Sequence, residues 1–410
     1  MQYVVEELES LGLSEVVPGK AGVSFRSASL SGGYRAALWL RCAIRVLVKL
    51  GEGRLDTPEL GGRNGAELLY DLVRDCGVRW QEVIRPGCSF EVAVRLRSCS
   101  DLNSSQLVWQ RVKDAVCDAV YDARRERPQP PGVNGPDVPL FVAAYQDQVT
   151  LYRDLCGTSL HRRGYRDAMH RAPLNEAAAA GMLMMAGWHR LSQQGAVLAD
   201  PMCGSGTLLL EAGLMASRRA PGLARHSGSW PFTRWHDFDS QGWRQVQAEA
   251  RDLVQPWGGR LYGNDTHQAA LRLASRDLGR AGLLTQCRLH QGDAASWTLP
   301  QRSDDDQDAG EERGGHRGLS PDLEPGDEGQ LESSWRSLAT FLRAQCPDAT
   351  ALVLSGNKNA FNYLRMKTFR KWPLTVGGVE ARVHAYHVLP PKSASHAAES
   401  SAEGAVAITV

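Results

Sequence analysis

The stretch from Ala196 to Gly213, AVLADPMCGSGTLLLEAG, leaves the chain few ways to fold around it. A short apolar run ends in an acid, Asp200. A turn of Pro201, Met202, Cys203, Gly204, Ser205 and Gly206 follows, and then the largely apolar Thr207 to Ala212. This order predicts a buried strand, a tight glycine turn and the start of a helix, the opening unit of a doubly wound α/β sheet. Such sheets bind ligands beyond the carboxyl ends of their strands. Glycine lets the turn backbone approach a ligand and adopt φ > 0. The spacing is not G-x-G-x-x-G, because residue 209 is a leucine, and no Gly-Lys-Ser/Thr follows to make a phosphate loop.

Two further strand ends repeat the pattern of an apolar run closed by an acid. After Gly258-Gly259, the run Arg260-Leu261-Tyr262-Gly263 ends in Asn264-Asp265. A carboxylate there can accept both hydroxyls of a ribose. The gap between Asp200 and Asp265 is much longer than the usual ~20 residues, and a Trp-rich insertion from Ala220 to Trp257 accounts for it. That insertion is expected to pack on a surface, since His226 and His236 lack metal-ligand spacing with any cysteine. A helix over His267 to Ala281 then ends at Gly282, and the strand Cys287 to Gln291 leads to Gly292-Asp293-Ala294.

Asp-Pro-Met-Cys-Gly-Ser-Gly-Thr followed by Leu-Leu-Glu-Ala resembles motif I of S-adenosylmethionine-dependent methyltransferases. Within that class the chain resembles the THUMP-domain RNA guanine-N2 methyltransferases, the group that holds the bacterial large-subunit rRNA enzymes. The resemblance implies a Rossmann-like class I methyltransferase domain preceded by an α+β ferredoxin-like and THUMP region. It implies S-adenosylmethionine as cofactor, held by Asp200, Met202, Cys203, Gly204, Ser205 and Gly206, with Asp265 on the ribose and Asp293 on the adenine amine. Pro173 and Asn175, in Arg171-Ala172-Pro173-Leu174-Asn175-Glu176, match the element that closes over the methionine end.

The N-terminal half carries the rest of the likeness. YRAALWLRCAIRVLV, from Tyr34 to Val48, resembles the family's ferredoxin-like start. Relatives usually have a strand before the first helix, and its absence points to a late-started reading of the gene. Phe90 to Ser98 alternates apolar and polar as a half-buried strand, and Ser104 caps a helix that continues to Val116. The string from Asn103 to Ala115, with Arg111 and Lys113, is close to the family's THUMP pattern. Leu140 to Tyr145 and Val149 to Leu155 read as a hairpin. GTSLHRRGYR, from Gly157 to Arg166, matches the family's interdomain linker; Arg162, Arg163 and Arg166 around Tyr165 offer phosphate contacts and a stacking ring to RNA. Arg124, Arg125 and Arg127 form a second basic cluster, equally readable as a solvated helix end.

The expected domains are 1–60 (ferredoxin-like), 61–166 (THUMP and linker), 167–390 (methyltransferase, with a disordered insert at 302–329) and 391–410 (a disordered Ala/Ser-rich tail). The net charge is +1, so RNA affinity would come from local patches and not from the whole chain. Nine cysteines are scattered without a C-x-x-C pair, which argues against metal fingers and a disulfide framework and for a reducing compartment. No apolar run reaches the ~18 residues of a membrane helix. A soluble intracellular protein is expected, cytoplasmic or in an organelle such as the plastid.

The pattern breaks at the fourth strand. Relatives end it in Asn-Pro-Pro-aromatic, whose side-chain and proline oxygens orient the attacking exocyclic amine while the ring stacks on the flipped base. No Asn-Pro-Pro occurs in this sequence; Leu299-Pro300 runs instead into an acid- and glycine-rich stretch. A central parallel strand cannot be dropped without leaving its neighbours unpaired, so a strand missing from the chain as read is the favoured explanation. The other is a variant that holds cofactor without this chemistry. The resemblance implies methyl transfer to guanine N2, most naturally in large-subunit rRNA. The alternatives are a tRNA guanine-N2 methyltransferase and a non-catalytic RNA-binding or ribosome-assembly factor. No catalytic residue is assigned.

Overall fold

The computed structural model describes residues 1–55, 64–100, 102–133, 135–166, 174–300, 328–376, 378–390 and 406–409. Two compact units emerge: residues 1–164 with 220–252, and residues 165–219 with 253–410.

In the first unit, β1 (Ser14–Pro18) and β2 (Val23–Arg26) pair antiparallel. The helix Leu30–Trp39 starts at Ser29, whose hydroxyl accepts the Ser31 N–H as an N-cap. A four-stranded sheet follows, built from β3 (Leu47–Arg54), β4 (Phe90–Arg97), β5 (Val138–Tyr145) and β6 (Gln148–Asp154) in the order β3-β6-β5-β4. The hairpin β5–β6 turns through Gln146 and Asp147, both at positive φ. β4 runs parallel to β5, a pairing that needs a long crossover, and the helix Ser105–Arg124 supplies it. Period-two burial along β5 puts Val138, Leu140, Val142 and Ala144 into the core.

The Trp-rich segment corrects the expectation of surface packing. Trp230, Phe232, Trp235 and Trp243 are buried in the core of this first unit. Tyr34 stacks on Phe232 with centroids 4.5 Å apart and meets Trp243 edge-on at 5.7 Å. Arg153 donates to both oxygens of Asp237, at 2.9 and 2.6 Å, and lies 4.1 Å over the Trp235 ring. Large aromatic rings gain too much from burial to stay on a surface when a partner face is in reach. The segment therefore belongs with residues 1–164, and a single break near 166 does not describe the chain.

The second unit is a seven-stranded sheet in the order β11-β12-β10-β13-β7-β8-β9. Its strands are β7 (Leu198–Asp200), β8 (Leu261–Asp265), β9 (Cys287–Gln291), β10 (Thr350–Ser355), β11 (Thr368–Val376), β12 (Val379–His387) and β13 (Val406–Thr409). β10, β13, β7, β8 and β9 are parallel, and β12 runs antiparallel to β10 and β11. The helix Thr207–Ala216 is buried along its whole length, which explains why its sequence is apolar all round. A Cβ on Gly263 would stand 2.5 Å from Leu209 Cδ1 and 2.9 Å from Leu289 Cδ2, so only glycine lets this helix sit so close to β8.

Within the tail expected to be disordered, 391–410, residues 406–409 form the strand β13. Val406–Thr409 lies between β10 and β7, pairing Ala407 with Ala351 on one side and Ala199 on the other. β7 and β10 are thus joined by a strand from the far end of the sequence. The backbone groups of β7 and β10 need partners, and a short apolar segment supplies them. The rest of the tail, 391–405 and 410, lies outside the described residues. So does the 302–329 insert, apart from Glu328 and Gly329, which open the helix Glu328–Gln345. No helix among the described residues is long and apolar enough to cross a membrane.

Candidate functional site

The loops after β7, β8 and β9 are joined at the carboxyl ends of the strands. Asp265, at the end of β8, accepts the Gly204 N–H at 2.8 Å through one oxygen and the His267 N–H at 2.8 Å through the other. The turn after β7 is thereby tied to the acid after β8. Gly204 and Gly206 sit at φ +53° and +75°, conformations that glycine adopts without strain. Asp200 is buried and accepts the Met202 N–H at 3.3 Å. Burial, with Asp200 and Asp265 nearby, pushes the Cys203 thiol well above its ordinary range. The thiol stays protonated and packs as a small apolar group.

Asn264 is the residue the sequence reading overlooked. It is buried, and its amide donates at 3.0 Å both to the Pro201 carbonyl after β7 and to the Gly292 carbonyl after β9. Its side-chain oxygen meets His290 Nδ1 at 2.8 Å. Its backbone carbonyl accepts the Cys203 N–H at 2.8 Å. One side chain thus holds three ligand-facing loops in register. The signal was its place: a polar residue closing an otherwise buried strand, directly before the acid. Asp293, in the third loop, accepts the Ala295 N–H at 2.7 Å and the Ser337 hydroxyl at 3.1 Å. A few residues on, Trp297 stacks on Phe341 with rings 4.9 Å apart and nearly parallel.

Asn175 caps the helix Glu176–Met185, accepting the Ala177 N–H at 2.8 Å and the Ala178 N–H at 3.4 Å. Pro173 lies outside the described residues. The structure therefore brings Asp200, Met202, Cys203, Gly204, Ser205, Gly206, Asp265 and Asp293 to the carboxyl ends of three adjacent strands. Asp265 and Asp293 each keep lone pairs beyond those used by the protein, so ligand hydroxyl or amine donors suit them. An adenosine with an amino-acid tail fits this donor and acceptor set.

The residues expected to face RNA divide. Arg111 and Arg162 are exposed, and Lys113 is half-buried with its ammonium 4.8 Å over the Trp109 ring. Arg163 corrects the reading: it is buried and donates to the carbonyls of Leu160 at 2.9 Å and Arg41 at 2.6 Å. Tyr165 is buried too, its hydroxyl 2.9 Å from the Glu211 carboxylate, so it offers no stacking face. They alternate with exposed Arg162 and Gly164; the sequence showed only a run of cations around a ring. Arg166 turns to the motif I loop, bonding Thr207 Oγ1 and Ser205 Oγ. Arg124 donates to the carbonyls of Ile84 and Arg85, whereas Arg125 and Arg127 flank the ring of Tyr121 at 5.6 and 5.7 Å.

Comparison with known proteins agrees with this architecture. Residues 2–47 match the family described as the RlmL ferredoxin-like domain, 66–154 the THUMP domain, and 163–306 the RMKL-like methyltransferase domain. The chain is 34% identical over 385 residues to the ribosomal RNA large subunit methyltransferase K/L of Syntrophotalea carbinolica, covering 93% of this chain and 51% of that protein. It is 31% identical over 396 residues to the protein of the same name from Saccharophagus degradans, covering 93% of this chain and 49% of that one. The chain thus spans about half the length of the curated relatives it matches. Among solved structures, SMU.472, described as a methyltransferase and complexed with SAH, superposes with a TM-score of 0.74 at 22% identity, covering 95% of this chain and 96% of that one. The chain thus carries, in order, matches to a ferredoxin-like domain, a THUMP domain and an RMKL-like methyltransferase domain, on a class I methyltransferase fold.

Proposed function

We propose that this chain is an S-adenosylmethionine-dependent RNA methyltransferase that modifies guanine N2 in large-subunit rRNA. The observation that carries the reading is the joining of the loops at the ends of three adjacent parallel strands: Asp265 holds Gly204, and Asn264 holds Pro201 and Gly292, the residue before Asp293. Bound S-adenosylmethionine would supply an electrophilic sulfonium methyl. The residues of this chain hold and orient: Asp265 would receive the ribose hydroxyls, Asp293 the adenine amine, and the Pro201–Gly206 turn the methionine segment. Arg111, Lys113 and Arg162, and Arg125 and Arg127 near the Tyr121 ring, are side chains suited to RNA phosphates and bases.

A second reading is supported by the lack of any Asn-Pro-Pro in the sequence: an RNA-binding factor that keeps the cofactor fold without turnover. One experiment decides between them. The chain is incubated with unmodified large-subunit rRNA and methyl-tritiated S-adenosylmethionine, and the nucleosides are resolved by mass spectrometry. Label in N2-methylguanosine, abolished by Asp265→Ala, is expected. Label in another nucleoside overturns the guanine assignment. RNA binding without label supports the second reading, and label in tRNA alone moves the substrate to tRNA.

A further inference from the structure

We infer that Arg166 is the receptor for the carboxylate at the amino-acid end of the cofactor, an inference that rests on the cofactor reading above. Its side chain is only 12% exposed and lies 3.3 Å from Glu176, whose side chain is 9% exposed. A buried ion pair of this kind adds little net stability, because the desolvation of both charges offsets their attraction. Its placement is the more informative property.

One Arg166 nitrogen, Nη2, donates to Thr207 Oγ1 and to Ser205 Oγ at 3.4 Å; the other, Nη1, donates to Glu176. Thr207 and Glu176 are the first residues of two helices, Thr207–Ala216 and Glu176–Met185. Helix N-termini carry partial positive charge, so a cation set between two of them is out of place unless an anion joins it. Glu176 supplies one negative charge against the guanidinium and both helix ends. Arg166 Nε, moreover, is buried and has no hydrogen-bond partner among the described residues. A guanidinium has five donors in a planar fork that suits a carboxylate, and here a donor is left over in a low-dielectric site where leaving it unmade is costly.

The sheet order says which end of the ligand arrives there. The adenine acid, Asp293, follows β9, the ribose acid, Asp265, ends β8, and β7 is next in the row. A cofactor laid across these ends brings its amino-acid tail to the loop after β7, the loop Arg166 touches through Ser205 and Thr207. The α-carboxylate is the only anionic group on that tail.

The test is calorimetry on the full chain with three ligands: S-adenosylhomocysteine, its methyl ester and 5′-methylthioadenosine, which lacks the amino acid. The wild type should bind S-adenosylhomocysteine about 10- to 100-fold more tightly than the ester, as loss of a charge-assisted hydrogen bond predicts. Arg166→Gln should weaken S-adenosylhomocysteine by a similar factor and leave methylthioadenosine unchanged, with Arg166→Lys in between. An Arg166→Gln protein that binds S-adenosylhomocysteine like the wild type overturns the inference, as does one in which all three ligands weaken equally. Should the variant fail to fold by circular dichroism, the wild-type contrast between acid and ester carries the test, and equal binding of the two overturns it. A wild type that binds none of the three overturns the cofactor reading itself, an outcome distinct from binding that ignores Arg166.

Discussion

The two neighbours of β7 teach different lessons. On one side β8 pairs all three residues of β7: Leu198 with Leu261, Ala199 with Tyr262, and Asp200 with Gly263. On the other side β13 pairs only two, Val406 with Leu198 and Ala407 with Ala199. β8 is a buried apolar run closed by an acid and followed by an amphipathic helix, and it carries ligand-facing residues. β13 is a short apolar segment beyond an Ala/Ser-rich stretch, and its described role is to fill a gap in a ladder. The first carries the proposed site; the second completes the sheet beside it.

Proline at 407 should break this contrast most strongly. Ala407 is buried and sits between two parallel partners. Ala407→Pro removes a ladder donor in a central strand and should cost on the order of 3 kcal/mol or more in denaturant unfolding. An unchanged midpoint would mean that the tail does not occupy the slot. On the β8 side, Asn264→Ala orphans the carbonyls of Pro201 and Gly292, at about 1–3 kcal/mol for a buried group left unsatisfied. It should also loosen S-adenosylhomocysteine binding, which Ala407→Pro should do only by way of lost stability. Equal effects on both readouts from both variants would erase the distinction drawn between site and completion.

Gly263→Val sharpens the comparison further. The added branch meets Leu209 and Leu289, and overpacking of that kind costs about 1–3 kcal/mol. The variant should displace the helix Thr207–Ala216 and with it the motif I turn, read as weakened ligand binding. A variant that binds normally would show that the close approach is not needed.

The smallest effect is a pH dependence on the β10 side of the slot. His384, in β12, stacks on Phe361 at 3.7 Å, and burial, with Lys371 and Arg382 adding to it, lowers its pKa below 6.5. Between its folded value and 6.5 the unfolded chain binds more protons, so stability falls as pH drops below about 6.5 and is level above it. His384→Gln should flatten that portion of the stability curve. An identical slope in the variant would assign the dependence to other groups.

Legibility followed the range of the interactions. β7, β8, β9 and the acids Asp200, Asp265 and Asp293 could be read because each is announced within a few residues by an apolar run, a turn and a helix start. Asn264 was missed since its partners, Pro201 after β7 and His290 and Gly292 at the end of β9, lie far from it along the chain. Arg163 and Tyr165 were read as an RNA surface because a cluster of cations looks alike whether it faces solvent or carbonyls. The Trp-rich segment was placed on a surface for the same reason: no local signal says which core a tryptophan will join.

By itself the sequence determined the doubly wound sheet, the glycine turn and the order of the three acids, all consequences of local periodicity and backbone sterics. Only the tertiary structure decided that residues 220–252 complete the first unit, that Arg166 bonds the motif I loop, and that Val406–Thr409 lies between β10 and β7. Those outcomes depend on which distant groups are left needing a partner, and buried rings, charges and backbone amides find that partner in space and not along the chain.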